Sequence, residues 1–251
     1  MAFTVNIVQT GETSNVDPIE ITLSATPTSN SIMVLFLVYW NAGSSGEDIF
    51  DGGSTLKDAV ANTWTSPQSV VQSPTNSQYD GIIIRAFTAT NTNGLSSGHP
   101  ISVEGQVSDV GTEVIYILYE LLADNSISFN TSNTSQNNGL YPTITTPSLT
   151  SYDVVLAISA ANTDGVRNYD TDNTNGSWVN GNKLTNSTRV IEFISQYKKV
   201  TGDGMQTFNP TFTNDGTEPA PEEATLYLVF SEAAPPPPAS SFYLISTIMT
   251  N

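Results

Sequence analysis

The sequence predicts an all-β protein, an antiparallel β-sandwich assembled from two pseudo-repeats. Three observations carry this. Apolar segments rich in Val, Ile, Tyr and Phe recur along the chain between clusters of Gly, Asn, Pro and Ser, the spacing of strands and turns. No stretch longer than about a dozen residues places apolar side chains at the helical period. The second part of the chain retraces the first at an offset of about 110–120 residues, the mark of an internal duplication.

In chain order, strands are expected near 3–9, 19–25, 32–40, 81–89, 101–107 and 113–121. A second series follows near 143–146, 153–160, 190–199, 207–213 and 224–230. Each is enriched in β-branched or aromatic residues and bounded by turn formers. Segment 59–62 reads as a short helical turn, and the largely polar segment 126–138 as a surface loop.

The two series align in detail. PTSNSIMVL at 27–35 matches PSLTSYDVVL at 147–156, and Trp64 after Asn62-Thr63 corresponds to Trp178 after Gly176-Ser177. The strand and turn from Ile82 to Gly94 pair with Ile191 to Gly204. IYILYE at 115–120 falls opposite LYLVFS at 226–231. Two arrangements fit: sandwiches in tandem, or halves interleaved in one larger sandwich. Ile115, Ile117 and Tyr119 alternate with Tyr116 and Leu118, apolar on both faces. Such strands suit a thick body with layers on either side. The chain therefore divides into one body at 1–234, with pseudo-repeats at 19–121 and 142–233, and a terminal segment at 235–251.

Composition excludes several function classes. At 251 residues the chain is long enough to build its core without covalent staples. It has no cysteine, hence no disulfide, thiolate metal site or thiol nucleophile. Seven Lys and Arg against 24 Asp and Glu leave a formal charge of −17, which repels nucleic acid and anionic membrane alike. The longest apolar run, Ile32 to Trp40, is too short to cross a bilayer. The first residues, Met1-Ala2-Phe3-Thr4-Val5, lack the basic start and apolar stretch of a secretory signal. Synthesis in a cytoplasm and release by lysis are the expectation.

Chemistry has few candidates. His99 is the single histidine; it stands in a turn before Pro100, away from any nucleophile motif, so a catalytic triad is rejected. Glu104, Glu113, Glu120, Asp153 and Glu192 lie in or beside strands, but no spacing singles out a hydrolytic pair. Asp170, Asp172 and Asn175 put oxygen donors at a calcium-loop spacing closed by Gly176. The loop lacks the glutamate that completes such a site, with Gly181 in its place. A calcium ion and a solvated Asn/Asp turn both fit it. Trp64 and Trp178 read as core plugs rather than sugar platforms, and Trp40 as the end of a buried strand. Gly52-Gly53-Ser54-Thr55 lacks the features of a phosphate loop.

The terminal segment opens on Pro235 to Pro238, a stiff polyproline spacer. Beyond it lie Phe242, Tyr243, Leu244, Ile245, Ile248 and Met249, apolar and β-prone. Three fates suit it: a strand folded back on its own domain, an arm paired with a neighbouring subunit's sheet edge, or a disordered tail. The spacer favours the arm, and these six residues are the candidate partner-binding set.

The order of elements resembles the β-sandwich surface proteins of bacteriophage virions, of the head-decoration (cement) or tail-fibre-associated type. An apolar strand follows Thr-Pro-x-Ser, then come a loop with an isolated Trp, an x-Gly turn, and the strand Val-Ile-Tyr-Ile-Leu-Tyr-Glu; the order then repeats. The resemblance spans about residues 19–233; Tyr119-Glu120-Leu121-Leu122 departs from it. It implies a jelly-roll-like or lectin-like topology and a non-enzymatic structural role in the particle. The expected function is capsid decoration, with the arm docked on neighbouring subunits. The alternatives are a tail-fibre or baseplate receptor-binding protein and a calcium-assisted carbohydrate-binding module. Expected partners are other virion proteins and copies of the chain itself, with a host-surface glycan under the alternatives; no cofactor beyond the candidate calcium is expected.

Overall fold

The computed structural model describes residues 3–13, 19–41, 55–72, 81–104, 114–137, 143–162, 168–170, 178–186, 191–213 and 222–235. The first half forms β1 (Thr4–Thr13), β2 (Ile19–Thr22), β3 (Ile32–Asn41), β4 (Thr55–Asp58), β5 (Thr65–Gln72), β6 (Gly81–Thr90), β7 (Pro100–Glu104) and β8 (Val114–Leu122). The second forms β9 (Ile127–Asn137), β10 (Ile144–Thr145), β11 (Asp153–Asn162), β12 (Asn168–Asp170), β13 (Val179–Asn186), β14 (Ile191–Lys199), β15 (Thr207–Phe208), β16 (Thr211–Thr213) and β17 (Glu222–Glu232). The protein is all-β, and all the strand pairings are antiparallel.

The halves repeat one topology. A five-stranded sheet in the order β1-β8-β3-β6-β5 lies beside a three-stranded sheet β2-β7-β4. Its counterpart runs β9-β17-β11-β14-β13, beside the pairs β10-β15 and β12-β16. Within each half the chain alternates between large and small sheets, the winding of a jelly roll; β5 and β13 depart from it by joining the large-sheet edge. The correspondence includes β1 and β9, which lie outside the segments aligned by sequence. Register supports it: Val34 faces Tyr119 and Phe36 faces Ile117, as Val154 faces Phe230 and Leu156 faces Leu228. By the same register Ala86 corresponds to Tyr197, both opposite the central strand. Ile82 thus matches Phe193, two residues beyond the Ile191 of the sequence alignment and on the same face.

Four layers result. The two large sheets share a core of Val34, Phe36, Ile84, Ile117, Leu156 and Phe193 with their neighbours. Outside the first, Met33, Leu35, Tyr39 and Leu118 pack under Ile19, Ile21 and Ile101 of the small sheet. Outside the second, Val155, Ala157 and Val229 pack under Ile144, Trp178 and Phe208. Strand β3 is therefore apolar at every position from Met33 to Tyr39, each fully buried. A strand between two layers has no solvent face to keep polar. The halves do not exchange strands; each builds its own large sheet, and these stack face to face.

Trp64 directly precedes β5 and Trp178 directly precedes β13, but not at the same register: Gln68 faces Ala86, while Val179 faces Tyr197, the counterpart of Ala86. Trp64 is half-buried against the first outer core and donates Nε1–H to Asp58 Oδ2 at 2.9 Å. Trp178 is buried, tilts on Phe208 at 5.0 Å and donates to the Thr207 carbonyl. Both plug the outer layer. The side chain of Trp40 lies outside the described residues.

Three expectations change. Segment 126–138 is not a loop but contains β9, held along its length by β17. Strands β4, β5, β12 and β13 were also missed by pattern, because edge and covering strands carry few apolar side chains. Segment 59–62 is not helical. Asp58 Oδ1 accepts the N–H groups of Val60 and Asn62 at 3.0 and 3.1 Å, with Ala61 at φ 59°, an Asx-type turn.

Candidate functional site

Asp58, Glu120, Asp153 and Glu232 act as anchors for backbone. Glu120 on β8 faces Met33, and Asp153 at the start of β11 faces Ser231. These are opposite members of equivalent strand pairs, and they solve the same problem. The loop entering each central strand offers an N–H that the ladders leave unpaired. Glu120 accepts it from Thr28 and also accepts Asn6 Nδ2 at 3.0 Å. Asp153 accepts it from Thr150 at 2.7 Å, along with the hydroxyls of Thr150 and Ser231. Burial alone would raise the Glu120 carboxyl, but these bonds outweigh it and hold the group below the ordinary carboxylate range. Glu232 does the same at the junction of the halves, accepting Asn125 N–H at 3.0 Å and Asn125 Nδ2 at 2.8 Å.

Of the acids that sequence weighed for hydrolysis, the described ones, Glu120, Asp153 and Glu192, do not converge. Glu120 and Asp153 sit in different sheets. Glu113 lies outside the described residues, as does the side chain of Glu104. The structure instead pairs Glu192 with Glu223, which sequence did not single out. Both oppose Ala161, one from each flanking strand, and are 3% and 0% exposed. Their Cα atoms stand about two strand spacings apart, roughly 9.5 Å.

His99 is half-buried, and Ser96 Oγ lies 3.4 Å from both of its ring nitrogens. A hydroxyl equidistant from both nitrogens is not on the lone-pair axis of either, so the pair lacks the alignment of a nucleophile and its base. Among the described residues no three acidic or histidine side chains gather around a point that could hold a metal. Asp170 ends β12 opposite Thr211, but its side chain, with Asp172 and Asn175, lies outside the described residues. Phe242, Tyr243, Leu244, Ile245, Ile248 and Met249 also lie outside them.

One surface depression joins the two halves. Where β5 and β6 of the first half meet β9 and β17 of the second, an open cavity of about 280 Å³ straddles the seam. Thr63, Thr65 and Thr88 line one wall; Ile127, Phe129 and Phe230 line the other. The Thr65 and Thr88 hydroxyls bond to each other at 3.0 Å. Phe129 is 43% exposed and stands edge-on to Phe230 at 5.9 Å and 72°. No lining side chain is charged. Sequence missed this site because Phe129 lies in a segment read as loop; a lone aromatic among Ser, Thr and Asn was its one signal. The arrangement offers an aromatic face, hydroxyls and no proton-transfer group: it can bind a neutral surface. Comparison with protein-family models, curated proteins and solved structures finds no match to this chain.

Proposed function

We propose that the chain is a non-enzymatic structural protein of a virus particle, a capsid decoration or cement protein that docks on neighbouring subunits through its C-terminal arm. The observation that carries this reading is the uncharged cavity on the seam between two rigid half-bodies. It is a receptor for packing and holds no group that could move a proton. Glu120, Asp153 and Glu232 are engaged with backbone N–H groups, which suits a scaffold. Jelly rolls serve in capsid and lectin domains alike, so the fold by itself leaves the role open. The composition, acidic but sparsely charged, and the apolar arm beyond four prolines support the particle. Mass spectrometry of purified particles, with antibody labelling of intact ones, is the test. Stoichiometric copies exposed outside are expected; absence from the particle overturns the reading.

A second reading has a specific observation in its favour. An exposed phenyl ring beside threonine hydroxyls also suits a neutral sugar, as a fibre, baseplate or carbohydrate-binding protein requires. Glycan-array binding lost in Phe129→Ala would favour it, and a rise in Tm on adding calcium would bring in Asp170, Asp172 and Asn175.

A further inference from the structure

The described chain ends at Pro235, and Ala233 N–H donates to the Ser126 carbonyl at 2.9 Å. Ser126 precedes Ile127 of the cavity wall, and Phe230 of the same wall lies two positions before Glu232, where β17 ends. The last described residues thus lie at the corner that holds the cavity. Four consecutive prolines follow. Proline fixes φ near −65° and opposes the tight reversal that docking in the chain's own cavity needs. From Pro235 to Phe242 the chain spans at most about 24 Å.

Charge and size select the occupant. Neither the cavity wall nor residues 236–251 carry a charged side chain, on a chain of −17. At about 280 Å³ the cavity has room for one or two aromatic side chains. All four edge strands of the large sheets carry a register shift, which hinders strand addition there. Side-chain insertion is the mode this cavity offers.

We propose that this cavity receives residues 242–249 of a second copy of the chain, with Phe242 and Tyr243 inserted beside Phe129. The last described residues and the cavity share a corner, so a two-fold axis near this corner brings each arm to the other's cavity, a closed and self-complementary exchange. The inference rests on the arm-docking reading of function and names its acceptor.

Sedimentation velocity on the full chain tests it. The wild type is expected at twice the 26.8 kDa chain mass. Thr63→Lys, at an exposed rim position, and Tyr243→Asp are each expected to sediment as monomers. An equal mixture of these two variants regains dimer, because one intact arm then meets one intact cavity. Phe129→Asp, checked for folding by circular dichroism, is the second cavity variant. A dimer that persists in both cavity variants, or a wild type monomeric at its highest soluble concentration, overturns the proposal. A monomeric wild type found in particles sinks only this inference; intact exchange in a chain absent from particles sinks only the virion reading.

Discussion

At the scale of single residues, the centre of the molecule depends on one close approach between the halves. Tyr119 of the first large sheet crosses the shared core to Ser195 of the second. Ser195 Oγ donates to the Ala157 carbonyl at 3.3 Å, so Tyr119 supplies the proton of their own bond. Burial raises the Tyr119 phenol well beyond its usual range despite that bond, and the group stays a neutral donor. The space for it comes from Gly181, the extra residue of the β13 bulge. A Cβ there would stand 1.8 Å from Tyr119 Oη and 2.8 Å from the Ser195 carbonyl. Gly181→Ala is expected to destabilise the protein by about 2–3 kcal/mol, the scale of overpacking, in urea unfolding. Adding Tyr119→Phe should relieve only part, since the carbonyl contact remains. Glu120 makes a second prediction. Its folded pKa is lowered, so its contribution is present above the unfolded pKa and is lost as pH falls through the folded one. Between about pH 6 and pH 3, wild type should lose about 1–2 kcal/mol more than Glu120→Gln, the value of bonds to a charged acceptor.

At the scale of elements, the large-sheet edges differ from the interior in one consistent way. Val8 in β1, Asn130 in β9, Gly181 in β13 and one residue between Thr65 and Gln68 in β5 are unpaired extras. The interior pairings of β3 and β11 run without a shift. In β1 and β9 the bulge falls at the same register, beside Tyr119 and Phe230. Bulges twist an edge away from further pairing, and Pro67 removes a donor from β5 as well. Pro67→Thr is expected to increase slow self-association, read as light scattering on prolonged incubation. Native-state hydrogen exchange should be slowest in β3 and β11 and faster in β5, β9 and β13, because protection follows burial and pairing on both sides.

At the scale of the whole molecule, each half has its own outer core and half of a shared one. Burying each large side chain of the shared core is worth about 1.5–3 kcal/mol, and neither half keeps that alone. Residues 1–124 expressed by themselves would expose Val34, Phe36, Val38, Ile84, Ile115 and Ile117 along one sheet face. That half is expected to aggregate, while the full chain melts in one cooperative transition by calorimetry. Two separate transitions would refute the coupling.

The sequence alone determined the class, the duplication and the inner strands, because a strand between two layers writes its burial as an unbroken apolar run. IMVLFLVYW from Ile32 to Trp40 and IYILY from Ile115 to Tyr119 are legible for that reason. Tertiary structure decided the rest. Segment 127–137 is a strand only because β17 supplies its hydrogen bonds, and its own side chains carry no period to announce it. The stacking of the halves, the cover of the outer faces and the joining of Phe129 to Thr63, Thr65 and Thr88 all depend on residues far apart in the chain. Hydrophobic pattern records how deeply a side chain is buried; which surface buries it is set by long-range packing.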